Sequence, residues 1–241
     1  MIITSLENNK VKDIVKLQSK KYRDLTNCFV VETEHLVEEA YKAGIVKEVF
    51  VVEGEDYSFD NITYVSFDVM KKMSTMESPS KVLAVCEKSN SKEIIGSKIL
   101  LLDGIQDPGN LGTIIRSSVA FGVDTIILST DTVDLYNPKV IRASEGMFPH
   151  INIITMDLEE AIDSIKKLGI SVYGTNVVNG SDVSTITDKN SYALVMGNEG
   201  NGVKRHIQEL CDKNLYIPMN KLCESLNVGV ACSILLYELG R

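Results

Sequence analysis

Five short apolar runs, at 99–102, 125–129, 171–174, 192–196 and 214–217, recur along the later part of the chain with helix-like patterning between them. Strands alternating with helices form a parallel sheet covered on both faces, so the spacing predicts an α/β domain. In such sheets ligands bind in the crevice beyond the carboxyl ends of the strands. Loops far apart in sequence can therefore meet at one site. Three segments here run from strand into loop: LLDGIQDPGNLGTIIRSS from Leu101, ALVMGNEGNGV from Ala193, and LYIPMNKLCESLNVGVACSILLYEL from Leu215. In the first, Leu100, Leu101 and Leu102 read as a buried strand and Asp107-Pro108-Gly109 as a turn. Asn110 or a residue beside it caps a helix carrying Ile114, Ile115 and Val119.

The front of the chain is a smaller α/β module. CFVV from Cys28, VKEVFVV from Val46, ITYV from Ile62 and VLAVC from Val82 read as strands. Helices are predicted over 34–43, ended by Gly44, and around 67–74. The polar stretch EKSNSKEIIGSK, Glu87–Lys98, interrupts the apolar pattern and sets the domain boundary near residue 95. The expected domains are 1–95 and 96–241. With 241 residues and 44% hydrophobic content, the chain can bury a core in each.

Several function classes are disfavoured. No apolar run approaches the roughly 20 residues of a membrane helix, and Glu7 and Asn8 stand where a signal peptide would be apolar. A soluble cytoplasmic protein is expected. Five scattered cysteines with no CxxC pair read as reduced, mostly buried thiols, and three dispersed histidines show no metal-ligand spacing. Neither GxxxxGK[ST] nor a GxGxxG opening a helix after the first strand is present, which argues against a phosphate-loop or nicotinamide enzyme. Ser225 lacks the GxSxG context of a hydrolase nucleophile. The net charge of −8 counts against a wholly basic nucleic-acid coat, although total charge can hide local asymmetry. Residues 1–23 nevertheless hold Lys10, Lys12, Lys16, Lys20, Lys21 and Arg23 against Glu7 and Asp13. This segment reads either as a solvated amphipathic helix, with Leu6, Ile14 and Leu17 inward, or as a local basic surface for nucleic acid.

Taken together, DPGNLGTIIRSSVAFG (107–122), VMGNEGNGV (195–203), IPMNKLCESLNVGVACSILLYE (217–238) and VIRASEGMFPH (140–150) resemble the motifs of the SpoU, or TrmH-like, RNA ribose methyltransferases of the SPOUT superfamily. KYRDLTNCFVVETEHLVEEA (21–40) is similar to that family's L30e-like substrate-binding domain, with Thr33 in place of the glycine common in relatives. Lys221 and Gly229 also depart from the pattern, standing where glycine and serine are frequent.

The resemblance implies a carboxyl-terminal trefoil-knot domain, a fold that general rules of chain threading would not propose. It implies S-adenosyl-L-methionine as cofactor, with Gly197, Ile217 and Leu226 as main contacts and Met196, Gly202, Pro218 and Met219 around them. Asn110, Arg116, Glu199, Ser225 and Asn227 are the implied catalytic set, acting on a ribose 2′-hydroxyl without a metal. Family proposals make Arg116 the base. An arginine stays protonated in proteins, so the role it can fill is to clamp phosphate and orient the hydroxyl with its planar fork. Glu199 either acts directly or anchors backbone. Lys10, Lys12, Lys16, Lys20, Lys21, Arg23 and Arg142 are the candidate RNA contacts. The implied partners are RNA, with ribosomal RNA favoured over transfer RNA, and a second copy of the chain bound through the carboxyl-terminal domain. A non-methylating RNA-binding assembly factor of the same fold is the competing reading, and it has no chemical need for the catalytic set.

Overall fold

A computed structural model describes residues 2–89, 91–176, 180–187, 189–220 and 222–240. The chain forms two compact units, one of Met1–Asn90 with Asp134–Pro149, the other of Ser91–Val133 with His150–Arg241. The division at 90/91 lies close to the boundary read from the polar stretch. The segment 134–149, assigned from sequence to the second domain, belongs to the first unit instead.

The first unit runs β1 (Ile2–Ile3), α1 (Asn9–Lys16), α2 (Lys20–Thr26), β2 (Cys28–Glu32), α3 (Glu34–Lys42), β3 (Val46–Val52), β4 (Ile62–Val65), α4 (Phe67–Met73) and β5 (Val82–Glu87). Its five-stranded sheet has the order β1-β4-β3-β5-β2, with β2 and β3 antiparallel to β5. Val11 and Ile14 of α1 pack with Val69, Met70 and Met73 of α4 onto Phe50, Val65 and Leu83 of the sheet. Leu6, expected on the inward face, is 41% exposed, because α1 starts only at Asn9 with Asn8 as its cap.

In the second unit β6 (Lys98–Asp103), α5 (Pro108–Ala120) and β7 (Thr125–Leu128) come first. The chain then contributes α6 (Pro138–Ala143) to the first unit, where the Tyr136 ring packs tilted and the Phe148 ring edge-on against Phe29, with centroids 4.6 and 5.6 Å away. It continues with β8 (Asn152–Thr155), α7 (Leu158–Lys167), β9 (Val172–Thr175), β10 (Ser181–Asp182), β11 (Tyr192–Gly197), α8 (Arg205–Glu209), β12 (Lys213–Tyr216) and α9 (Val228–Leu239). The seven strands are all parallel, in the order β10-β12-β9-β11-β6-β7-β8. All five predicted strands of this domain are present. β8 and β10 have no counterpart in the predicted set, since four residues after Pro149 and two after Gly180 give too short a pattern to read. No helix among the described residues is long and apolar enough to cross a membrane. All five cysteines are free, and Cys223 is exposed rather than buried.

Arg23 is 4% exposed. Its guanidinium meets Asp134 at 2.6 Å and donates to the Leu17 and Gln18 carbonyls at 2.9 Å. A cation sequestered in this way is structural, so the sequence-based assignment of Arg23 to RNA contact is corrected. It fastens the end of α1 to the 134–149 segment.

Thr33, the departure from glycine, has φ = 86°. A β-branched residue is strained there, and glycine is not. Thr33→Gly is therefore expected to stabilise the protein by about 1 kcal/mol, seen as a higher urea midpoint with an unchanged slope; a lower midpoint would contradict this reading of the turn.

Candidate active site

The central strands β6 and β11 pair in register from Tyr192↔Lys98 to Gly197↔Asp103. Strand order reverses direction at this pair, and the loops after β6, β11 and β12 all leave from the same sheet edge. The switch in order opens a crevice there.

α5 begins with Pro108 at its first position and Asp107 as its cap, whose Oδ1 accepts from the Asn110 amide at 2.8 Å. The cap expected at or beside Asn110 is thus Asp107, and this frees the Asn110 side chain. Its Nδ2 donates to Glu199 Oε1 at 3.0 Å, and its Oδ1 accepts from Asn227 Nδ2 at 2.9 Å. Asn227 in turn caps α9, its Oδ1 accepting from the Gly229 and Val230 amides at 2.9 and 3.2 Å. The chain of bonds has one direction. Helix amides can only donate and an ionised carboxylate can only accept, which sets both amide groups between them.

Glu199 also accepts from the backbone amides of Asp107 at 3.1 Å and Gln106 at 3.3 Å. Burial alone would raise its pKa, but the donors from Asn110, Asp107 and Gln106 prevail and hold the carboxyl below its ordinary value of 4.5. A carboxyl lowered on folding stabilises the fold above its unfolded pKa and loses that contribution as pH falls through the folded value. At neutral pH the contribution is therefore complete. Glu199 ties the glycine loop to the start of α5.

A cavity of ≈ 360 Å³ opens beside this network. Of the residues expected to hold a cofactor, Met196, Gly197, Gly202, Ile217, Met219 and Leu226 line it, whereas Pro218 does not. Ser225 lines it too. Thr175 and Asn176 at the end of β9, and Val228, Ala231 and Leu235 of α9, are also part of the wall. Sequence reasoning missed these. The position of Thr175 at the carboxyl end of a predicted strand was the available signal. A Cβ at Gly197 would lie 2.0 Å from the Gly202 carbonyl carbon and the Val203 nitrogen, so only glycine lets the loop fold back here.

α5 and α9 pack closely. Ser117 and Ser233 share a hydrogen bond of 2.7 Å, and a Cβ at Gly229 would come within 3.2 Å of Thr113. Glycine at 229, where relatives often carry serine, makes room for Thr113. Lys221 lies outside the described residues. Arg116 is exposed on α5, and its side chain has no hydrogen bond or ion pair among the described residues. It lies about 9 Å further along the helix axis than Asn110. The structure thus joins Asn110, Glu199 and Asn227, sets Ser225 on the cavity wall, and leaves Arg116 apart. No group of three or more His, Cys, Asp or Glu among the described residues is arranged to hold a metal ion.

In the first unit Lys20 and Lys21 are exposed, while Lys10, Lys12 and Lys16 pair with Glu48, Glu7 and Asp13 at 2.6, 2.7 and 2.8 Å. Arg142 is half-buried and donates to Thr75 Oγ1 at 3.0 Å.

Residues 97–237 match the SpoU rRNA Methylase family, and residues 8–84 match the MRM3-like substrate binding domain. The chain is 42% identical, over 98% of both sequences, to the 23S rRNA (guanosine(2553)-2′-O)-methyltransferase RlmP of Bacillus subtilis (strain 168). The crystal structure of an AdoMet-bound rRNA methyltransferase from Sinorhizobium meliloti superposes with a TM-score of 0.87 at 30% identity, over 99% of this chain and 97% of that one. An RNA 2′-O ribose methyltransferase structure does so with a TM-score of 0.84 at 29% identity, over 99% and 98%. The chain belongs to the SpoU rRNA methylase family.

Proposed function

We propose that this protein methylates a ribose 2′-hydroxyl of RNA, using S-adenosylmethionine, and that its substrate is ribosomal RNA. The observation that carries this reading is the double attachment of the glycine loop. It lines the ≈ 360 Å³ cavity on one side and, through Glu199, holds the Asn110–Asn227 pair on the other. Cofactor and acceptor positions are thereby set by one loop. Relatives that match both units of the chain support an rRNA substrate, since those of Bacillus subtilis and Sinorhizobium meliloti are rRNA methyltransferases.

The cavity residues suit the cofactor. The volume lies in the range of small-molecule sites. Apolar Met196, Ile217, Leu226 and Leu235 suit an adenine ring, while Thr175, Asn176, Asn198 and Ser225 offer polar atoms for the ribose and amino-acid ends. When bound, S-adenosylmethionine supplies an electrophilic methyl group. The protein's own contribution is placement. A ribose hydroxyl is a weak nucleophile, so much of the acceleration must come from holding it in line and excluding competing geometries. Arg116, with its five donors free of protein partners among the described residues, is suited to clamp the adjoining phosphate and orient the hydroxyl. The hydroxyl proton then leaves to a phosphate oxygen or to water. Asn110, Asn227 and Ser225 border the place where the ribose would lie.

The reading extends to a homodimer in the cytoplasm, with the carboxyl-terminal segment threaded as a trefoil knot. Val230 and Tyr237, seven residues apart on α9 and each 47% exposed, share a helix face suited to a second copy. The separation of Arg116 from Asn110 fits a site whose substrate spans more of the surface than the cavity alone.

Calorimetry is expected to show S-adenosylmethionine binding to the full chain; binding of NAD instead would contradict the proposal. Arg116→Ala should abolish methyl transfer while leaving cofactor affinity within about threefold, and Arg116→Lys should restore little because the fork is lost. Near-normal turnover in the lysine variant would show that the fork has no part in the reaction.

The lysines of α1 and α2 are proposed to contact RNA phosphates, because exposed ion pairs such as Lys12–Glu7 are weak enough to exchange for phosphate. Replacing Lys12, Lys20 and Lys21 with glutamine should reduce the slope of log affinity against log salt by roughly 0.7–0.9 for each phosphate no longer neutralised. An unchanged slope would return these residues to a solvated face.

A further inference from the structure

We infer that Asp103 and Lys204 form a clamp that holds the glycine loop in its ligand-binding shape, which makes Lys204 a positioning residue for the cofactor. This inference rests on the proposal that the cavity takes S-adenosylmethionine. Neither residue lines that cavity.

The loop begins at Gly197 and ends at Lys204, and Asp103 engages both ends. On β6 its backbone is the register partner of Gly197. Its side chain is turned to the other end of the loop, where Oδ2 accepts from the Lys204 amide at 2.8 Å and Oδ1 from Lys204 Nζ at 2.9 Å. Asp103 is 1% exposed, and both of its side-chain bonds among the described residues come from this one lysine. A buried carboxylate requires such donors, so the closure of the loop is coupled to the solvation of Asp103. If Lys204 moves away, the carboxylate loses its ammonium and its amide together.

The outer half of the clamp is Asp131, which meets Lys204 Nζ at 2.8 Å and accepts from Ser129 Oγ at 2.6 Å. The lysine is thus gripped by carboxylates leaving two adjacent strands, β6 and β7. Within the loop, Asn198 and Gly202 exchange backbone hydrogen bonds of 3.0 and 2.9 Å, and Asn198 Nδ2 donates to the Gly104 carbonyl at 2.8 Å. The loop has few apolar contacts of its own, and residues 199–202 are exposed. Val203, 7% exposed, and Lys204 are what fix its returning end. A loop released there would lose the wall formed by Gly200 to Val203, whereas the wall from Ile217 and Leu226 would remain.

The variant Lys204→Met keeps the amide donor and the stem and removes the ammonium. Calorimetry with S-adenosylhomocysteine on the full chain is expected to give a Kd raised about tenfold, equivalent to about 1.4 kcal/mol, with Lys204→Arg returning it to within about threefold of wild type. In steady-state methyl transfer the KM for S-adenosylmethionine should rise in parallel, while the KM for RNA stays within about twofold. A lowered melting temperature with unchanged affinity for S-adenosylhomocysteine would overturn the inference and leave the pair as a stabilising contact only. Lys204→Gln, which retains a shorter donor, should weaken binding by about threefold or more and keeps the test valid if the methionine variant does not fold; equal affinity in that variant would also overturn it. Failure of the wild-type chain to bind S-adenosylhomocysteine would instead overturn the proposed function.

Discussion

The parallel pairing of β6 with β11 is the contact on which the rest of the site depends. Six consecutive residue pairs, from Lys98 with Tyr192 to Asp103 with Gly197, set two loops side by side where the chain leaves β6 towards β7 on one side and β11 towards β12 on the other. The strands themselves are almost wholly apolar and, apart from half-buried Lys98, buried, so their register is stiff. A slip by one residue would turn Asp103 away from Lys204. Stiffness in the sheet is thereby carried into loops that have little packing of their own.

Polar bonds then convert placement into orientation. Individually, hydrogen bonds such as Asn227 to Asn110 and Asn110 to Glu199 contribute about 1 kcal/mol each to stability, too little to determine a fold. Their value is directional. Each amide can satisfy its neighbours in only one orientation, because the series starts on the amides of α9 and ends on a carboxylate. The depressed pKa of Glu199 keeps that end an acceptor throughout the neutral range. Close packing of α5 on α9, with glycine at 229 opposite Thr113, holds the two asparagines within hydrogen-bond reach.

Much of this was legible in the sequence because it depends on local pattern. Apolar runs bounded by turn residues gave the central strands, and glycine-rich loops at their ends indicated where a ligand could sit. What sequence could not supply was partnership across distance. Arg23 looked like one more cation in a basic segment, yet Asp134, 111 positions later, takes it out of solvent. Asp107 and Asn110 are equally good capping residues; Pro108 at the first helical position favours Asp107, and the bonds of Asn110 to Glu199 and Asn227 give its side chain another use. The membership of 134–149 in the first unit likewise follows from Tyr136 and Phe148 packing on Phe29, a choice no periodicity records. Thr33 is the opposite case, a departure visible in sequence whose physical meaning appears only with its positive φ.

The most direct test of the proposed function is methyl transfer itself. The purified protein would be incubated with ribosomal RNA and S-adenosylmethionine carrying a labelled methyl group, and the RNA then hydrolysed in alkali. A methyl group on a ribose 2′-oxygen blocks cleavage of the adjoining phosphodiester, so the label is expected in an alkali-resistant dinucleotide, and Arg116→Ala is expected to prevent its appearance. Recovery of the label in mononucleotides, which would mark a methylated base, or no transfer by a protein that binds the cofactor, would contradict it.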